Sequence, residues 1–197
     1  MTQEAGLWNV ANVLTIVRVI LVPVFVACLL AGGTAGRLAA LVTFCVASLT
    51  DLLDGRLARS RGLVTDFGKI ADPVADKALT GAALVCLSAL GELPWWVTGV
   101  IMFRELGVTA LRLAVIRRGV IPASRGGKVK TLLQVIAICL YVLPATLSPP
   151  AITRELFMAA AVVVTVVTGV DYVVQAMRLR RSGPAAVAGK GSGLGEA

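Results

Sequence analysis

Six mostly apolar stretches run through this chain, at about residues 11–31, 37–54, 72–91, 95–116, 129–147 and 154–177. Each is close to the ~20 residues a helix needs to cross ~30 Å of hydrocarbon. In a chain of 197 residues that leaves room for one domain of spanning helices and none for a soluble one. Pro94 and the Pro149–Pro150 pair punctuate two of the connections, where a residue without an N–H ends or restarts a helix. Composition agrees with this reading. Hydrophobic residues make up 57% and charged residues 15%, whereas soluble domains carry ~25% charged residues. The fold class expected is all-α integral membrane, with six transmembrane helices. The expected organisation is a transmembrane domain over residues 1–181 and a small, Gly-rich cytoplasmic tail over 182–197, SGPAAVAGKGSGLGEA, that reads as disordered.

The first apolar stretch reads as a span and not as a cleaved leader: nothing positive precedes it, Arg18 lies inside it, and a stop-transfer series follows. Trp8, Trp95 and Trp96 fit anchors at the membrane–water boundary. Orientation comes from the basic residues. Arg56, Arg59, Arg61 and Lys69 lie between the second and third stretches. Arg117, Arg118, Arg125 and Lys128 lie between the fourth and fifth, and Arg178, Arg180, Arg181 and Lys190 follow the sixth. The alternate connections hold only Arg37, with Arg154 at the edge of the last span. The positive-inside rule then places both termini and the basic connections in the cytoplasm, in a multi-pass protein of the cell (plasma) membrane. The net charge of +8 therefore has a side, facing either anionic headgroups or an anionic substrate.

Cys28, Cys45, Cys86 and Cys139 sit singly in apolar runs without metal-ligand spacing, so they read as small buried hydrophobes. Histidine is absent, which leaves acid–base chemistry to carboxylates. There are only 11 acidic residues, and five of them, Asp51, Asp54, Asp66, Asp72 and Asp76, fall within 26 positions. Spacings of three and four put Asp51 with Asp54, and Asp72 with Asp76, on common helix faces. Both pairs lie at the cytoplasmic ends of adjacent spans. Four converging carboxylates repel and lose hydration near hydrocarbon, a cost that a hard divalent cation relieves. Four oxygen ligands suit two ions of Mg²⁺, Mn²⁺ or Ca²⁺. The bland alternative is interfacial pairing with Arg56, Arg59, Lys69 and Lys77. Gly55 and Ala58 share the face of Asp51 and Asp54, and Gly68 precedes Asp72 by one turn. They leave open floor for a ligand, or equally for close helix packing. Arg59 supplies a fork for phosphate oxygens.

The string DLLDGRLARSRGLVTDFGKIADPVAD, residues 51–76, matches all eight fixed positions of the pattern DxxDGxxARx8GxxxDxxxD. By this signature the chain resembles the CDP-alcohol phosphatidyltransferase family. NVLTIVRVILVP (12–23), RELGVTALR (104–112) and GKVKT (127–131) are similar to the branch that makes phosphatidylglycerophosphate. The likeness covers roughly residues 9–177. It implies six transmembrane helices with a cytoplasm-facing polar cavity, usually a homodimer, and transfer of a phosphatidyl group from CDP-diacylglycerol to sn-glycerol 3-phosphate with release of CMP. By position, it implies that Asp51, Asp54, Asp72 and Asp76 bind two divalent ions, Mg²⁺ or Mn²⁺, and that Asp76 is also the base. Gly55, Ala58 and Arg59, with Asp51, would contact the cytidine diphosphate of the donor, with Gly68 beside them.

Asn12, Thr15 and Arg18 are further candidates for the donor site, although Thr15 can equally satisfy a backbone carbonyl. A phosphorylated acceptor needs a basic pocket, for which Arg104, Arg112, Arg125, Lys128 and Lys130 are the candidates. Arg104 and Arg112 are costly inside a membrane and require partners. Glu105 or Asp171 is the structural choice and a substrate phosphate the functional one. Asp171 itself reads as a residue pairing one helix with another. Inositol phosphate or phosphatidylglycerol would be alternative acceptors for the same chemistry. A small cation transporter using the five acids is the reading from another class. It lacks the internal repeat such proteins commonly show, and it leaves Arg59 and the small-residue floor without a task. No nucleic-acid partner is expected, because the basic connections are short and lack interleaved aromatics. Removing the residues after Ser182 is expected to leave CMP release unchanged; a large loss of turnover in the truncated protein would contradict the assignment of the tail.

Overall fold

In the computed structural model, backbone is described for residues 10–61, 66–115 and 125–181, and side chains within 16–50, 77–111 and 127–177. Those residues form six helices and no strand: α1 (Val10–Ala31), α2 (Gly33–Arg61), α3 (Asp66–Ala89), α4 (Trp95–Val115), α5 (Arg125–Val142) and α6 (Ala151–Arg181). The all-α class is thus as expected. The helices nevertheless overrun the apolar stretches: α2 continues seven residues past 54, and α3 begins six before 72. Hydropathy marks where hydrocarbon begins, while backbone hydrogen bonding carries a helix on into polar surroundings.

Chemistry at the helix ends explains the connections. Gly32 alone separates α1 from α2, and Gly32 and Gly33 both have positive φ, 69° and 63°, a conformation glycine adopts without steric cost. Gly36 then lets α2 pass close to α1, since a Cβ there would stand 2.8 Å from the carbonyl oxygen of Cys28. At the end of α3 the Gly91 N–H donates to Ser88 O at 3.1 Å and the Glu92 N–H to Leu87 O at 3.0 Å, with Gly91 at φ 74°. This is the paired bonding of a Schellman cap. Pro94 stands just before α4, Pro144 just after α5, and Pro150 just before α6.

One end of the bundle is tied by side chains. Arg37 in the first turns of α2 pairs with both carboxylate oxygens of Glu92, in the α3–α4 connection. It also donates to Tyr141 O, near the end of α5, at 3.1 Å. The Arg154 guanidinium of α6 lies 5.4 Å from the centre of the Tyr141 ring, within cation–π range. The start of α2, the end of α3, the end of α5 and the start of α6 therefore meet at this end. The late part of α2 and the early parts of α3 and α5 belong to the other end.

Between the ends, Phe25, Leu29, Phe44, Leu84, Leu87, Ile101, Ile138 and Val142 form a dry core, with the Phe25 and Phe44 rings 5.6 Å apart. The outer surface is apolar as well: Phe103 is 83% exposed, and Trp96, Ile152, Leu156 and Val167 each more than half exposed. An apolar exterior over an apolar core is what lipid contact asks of a chain. Among the described residues, Gly33–Thr50 and Ala151–Met177 are each long and apolar enough to cross a membrane, with mean hydropathy 1.3 and 2.1, and Ile16–Ala31 and Lys77–Ala89 form shorter apolar helices. Gly36→Ala should destabilise the protein by about 1–3 kcal/mol, read as a lower unfolding midpoint in detergent. An unchanged midpoint would show that α1 and α2 can separate at that crossing without cost.

Candidate active site

Asp51, Asp54, Gly55, Ala58 and Arg59 lie on the last third of α2, and Gly68, Asp72 and Asp76 on the first half of α3. Both segments are continuous helix, so the i,i+3 spacing of the first acidic pair and the i,i+4 spacing of the second each keep a pair on one helix face. These two segments occupy the end of the bundle away from Arg37 and Glu92. Asn12 and Thr15 lie in the first turns of α1, Arg112 late in α4, and Arg125 at the start of α5. The side chains of these residues lie outside those described, so helix and register are what the structure gives for them.

Directly after Asp76 the side chains are defined, and they converge. Glu105, in the middle of α4, is 7% exposed. Its Oε2 accepts from Lys77 Nζ of α3 at 2.9 Å. Its Oε1 accepts from Lys130 Nζ of α5 and from Nη1 of Arg104 at 3.1 Å. Arg104 in turn donates through Nε to Thr165 O at 3.0 Å and through Nη2 to Thr168 Oγ1 at 2.9 Å, both on α6. The carboxylate thus joins α3 and α5 to α4, and its neighbour Arg104 ties α4 to α6. Such burial of charge in a low-dielectric interior is tolerable only with partners on both sides.

Glycine makes this reach possible. A Cβ at Gly169, on α6, would stand 2.9 Å from Cγ and 3.3 Å from Nε of Arg104; the arginine stem lies in the space that a larger residue would fill.

Beside the carboxylate is a small cleft, open at its mouth, lined by Lys77, Thr80, Met102, Glu105, Lys130, Thr131 and Gln134. A neighbouring hollow shares Thr80, Thr131 and Gln134 and adds Arg18 and Ser48. Gln134 is 4% exposed, and its Nε2 has no hydrogen-bond partner among the described residues. A lysine ammonium carries three donors, and Lys77 and Lys130 each give one to Glu105. The cleft is therefore rich in donors, while both oxygens of its one carboxylate are occupied. Such a lining is complementary to an anionic group.

Of the residues the sequence marked for an acceptor phosphate, Lys130 lines this cleft and Arg104 stands behind it, bonded to the protein through all three guanidinium nitrogens. Lys128 is exposed near the start of α5. Of the two structural partners proposed for Arg104, it is Glu105 that pairs with it. Asp171 is exposed and accepts from Gln175 Nε2 of its own helix at 2.8 Å. Arg18 is buried and reaches the neighbouring hollow. Sequence reasoning did not single out Gln134 or Thr131. Their signal was a polar pair three residues apart, beginning one residue after Lys130 in an otherwise apolar run.

The helical fold, the acidic pairs and the basic cleft together have the makings of a site for a membrane-bound transferase of nucleotide-activated lipids. The family model for CDP-alcohol phosphatidyltransferase matches residues 8–167, and the chain belongs to that family. Over 178 residues it is 55% identical to the "probable phosphatidylglycerophosphate synthase" of Mycobacterium tuberculosis (strain H37Rv), covering 89% of this chain and 85% of that protein. The CDP-diacylglycerol–glycerol-3-phosphate 3-phosphatidyltransferase of Bacillus subtilis is 40% identical over 183 residues, or 84% of this chain and 94% of that one. The protein of the same name from Shigella flexneri is 37% identical over 161 residues, covering 79% and 88%.

Gly169→Ala should displace Arg104 and lower the unfolding midpoint in detergent, the change corresponding to about 1–3 kcal/mol. Gly107→Ala, where a Cβ meets nothing within 4 Å, should instead raise it by up to ~1 kcal/mol through helix propensity. Equal effects at the two positions would contradict the packing described for Arg104.

Proposed function

We propose that this protein transfers the phosphatidyl group of CDP-diacylglycerol to sn-glycerol 3-phosphate, giving phosphatidylglycerophosphate and CMP. The observation that carries the reading is similarity over more than four-fifths of the chain to proteins named for that reaction, with the full signature over residues 51–76. In this reading all six helices span the plasma membrane, both termini and the site face the cytoplasm, and the protein is a homodimer. An apolar exterior and the asymmetry of basic residues support the placement. Acyl chains then stay in lipid while nucleotide and acceptor arrive from water.

The chemistry is a substitution at phosphorus. The acceptor hydroxyl oxygen forms a bond to the phosphatidyl phosphorus, the bond from that phosphorus to the CMP oxygen breaks, and CMP leaves with the electron pair. Asp76 takes the hydroxyl proton. Asp51, Asp54, Asp72 and Asp76 form an all-oxygen donor set on facing ends of α2 and α3, a set that fits two Mg²⁺ or Mn²⁺ ions. Bound there, such ions would neutralise the diphosphate and the charge developing on the leaving group. Arg59, Gly55, Ala58 and Asp51 hold the cytidine diphosphate, with Gly68, Asn12 and Thr15 alongside.

For the acceptor's phosphate, Lys130 and its neighbours Arg125 and Lys128 on α5, with Arg112 on α4, are the receiving cations. Arg104, with its three nitrogens engaged, holds Glu105 and acts behind them. Inositol phosphate would also use a basic pocket, and phosphatidylglycerol would bring a second lipid, so acceptor identity is what an assay must separate. Purified protein given CDP-diacylglycerol and Mg²⁺ or Mn²⁺ should release CMP with glycerol 3-phosphate and not with inositol phosphate or phosphatidylglycerol. Asp76→Asn should reduce that release by about 10²-fold or more, within the contribution expected of a positioned base. Release with another acceptor would overturn the acceptor assignment. Folded protein without metal-dependent release would overturn the reaction.

A further inference from the structure

We propose that Glu105 is a positioning residue for this reaction: by gripping Lys77 and Lys130 from two other helices, its carboxylate sets where the acceptor's phosphate is received relative to Asp76. The inference rests on the reading of the site in the preceding subsection.

Three observations carry it. The first is the division of the carboxylate. One oxygen takes Lys77 of α3 and the other takes Lys130 of α5, so a single rigid group fixes the separation of two cations that no stretch of backbone relates. The second is sequence adjacency: Lys77 directly follows Asp76 on α3, so the ion pair ties the turn of α3 that carries Asp76 to Glu105 of α4. The third is how Glu105 is itself held. Arg104 bonds its Oε1 and is clamped on α6 through Thr165 O and Thr168 Oγ1, so the carboxylate is braced from behind.

Stability alone is a poor reason for such a cluster. A buried ion pair is commonly no more stabilising than a well-packed apolar group of similar volume. The cluster borders a cleft where the remaining lysine donors and the Gln134 amide converge, and that is where fixed ammonium positions matter to an anionic ligand. Phosphate recognition depends on donors placed beforehand, since each mobile side chain ordered on binding lowers affinity.

The test is a comparison of kinetic constants in purified protein. Glu105→Gln is expected to raise KM for glycerol 3-phosphate about tenfold or more, while KM for CDP-diacylglycerol stays within about twofold. Glu105→Asp, which keeps the charge on a shorter stem, should recover part of the loss. A uniform fall in turnover that tracks the folded fraction, with both KM values unchanged, would overturn the proposal, because that is how a purely structural residue behaves. If Glu105→Gln alone does not fold, Glu105→Gln/Lys77→Gln exchanges the buried ion pair for two neutral amides and leaves Lys130 in place. A raised KM for glycerol 3-phosphate in that variant supports the proposal, and an unchanged one overturns it. Failure of the wild type to use glycerol 3-phosphate would be visible in the same experiment and would count against the acceptor, not against Glu105. The ratio of KM values, variant to wild type, is then read with whichever phosphorylated acceptor the wild type uses.

Discussion

The middle of the bundle is organised by the Glu105 carboxylate, which takes Lys77 of α3 and Lys130 of α5 onto α4, and by its neighbour Arg104, which braces it and ties α4 to α6. In a chain whose outer and inner surfaces are both apolar, burial of carbon gives little preference for one arrangement of helices over another, since lipid satisfies an apolar face as well as a neighbouring helix does. Polar bonds with fixed partners supply that preference. The opposite end repeats the device with Arg37, Glu92 and the Tyr141 carbonyl. These polar ties, one at an end and one within the bundle, help to fix the register of the helices they join.

That register has a chemical consequence. The segment of α3 carrying Asp72 and Asp76 leads directly into Lys77, and the segment of α5 carrying Arg125, Lys128 and Lys130 opens at the same end of the bundle. In the proposed reaction, acidic groups suited to cations and a donor-rich cleft suited to an anion then lie toward the same end of the bundle. A reaction between an activated diphosphate and a phosphorylated alcohol needs both kinds of ground side by side, and a position close to the water boundary lets each reactant keep its own solvent.

Much of the fold was legible because apolar runs of bilayer length have few alternatives, and because Pro94 and the Pro149–Pro150 pair mark two of the connections; the turns at Gly32 and Gly91 emerge only with the backbone. Helix ends in the polar zone were not legible, since hydropathy falls off before the backbone hydrogen bonding does. In the site, the residues of the 51–76 string announce themselves by charge where charge is expensive. Gln134 and Gly169 do not. A glutamine in an apolar run and a glycine on a long helix have many structural uses, and only the position of Arg104 and the cleft around Lys130 separates those uses from one another. Asp171, conspicuous in sequence as an acid in an apolar run, bonds along its own helix to Gln175.

In the proposed reaction, cations and acceptor phosphate are received at adjoining places, the first between α2 and α3 and the second beside Lys130. The most direct measurement is an experimental structure of the full chain in lipid with Mn²⁺, CDP-diacylglycerol and glycerol 3-phosphate, using Asp76→Asn to halt turnover and the anomalous signal of manganese to locate the metal. The account predicts manganese among Asp51, Asp54 and Asp72, and the acceptor's phosphate within hydrogen-bond reach of the Lys130 ammonium. Manganese elsewhere, or an acceptor phosphate bound away from the cleft with Lys130 and Glu105 still paired behind it, would contradict it.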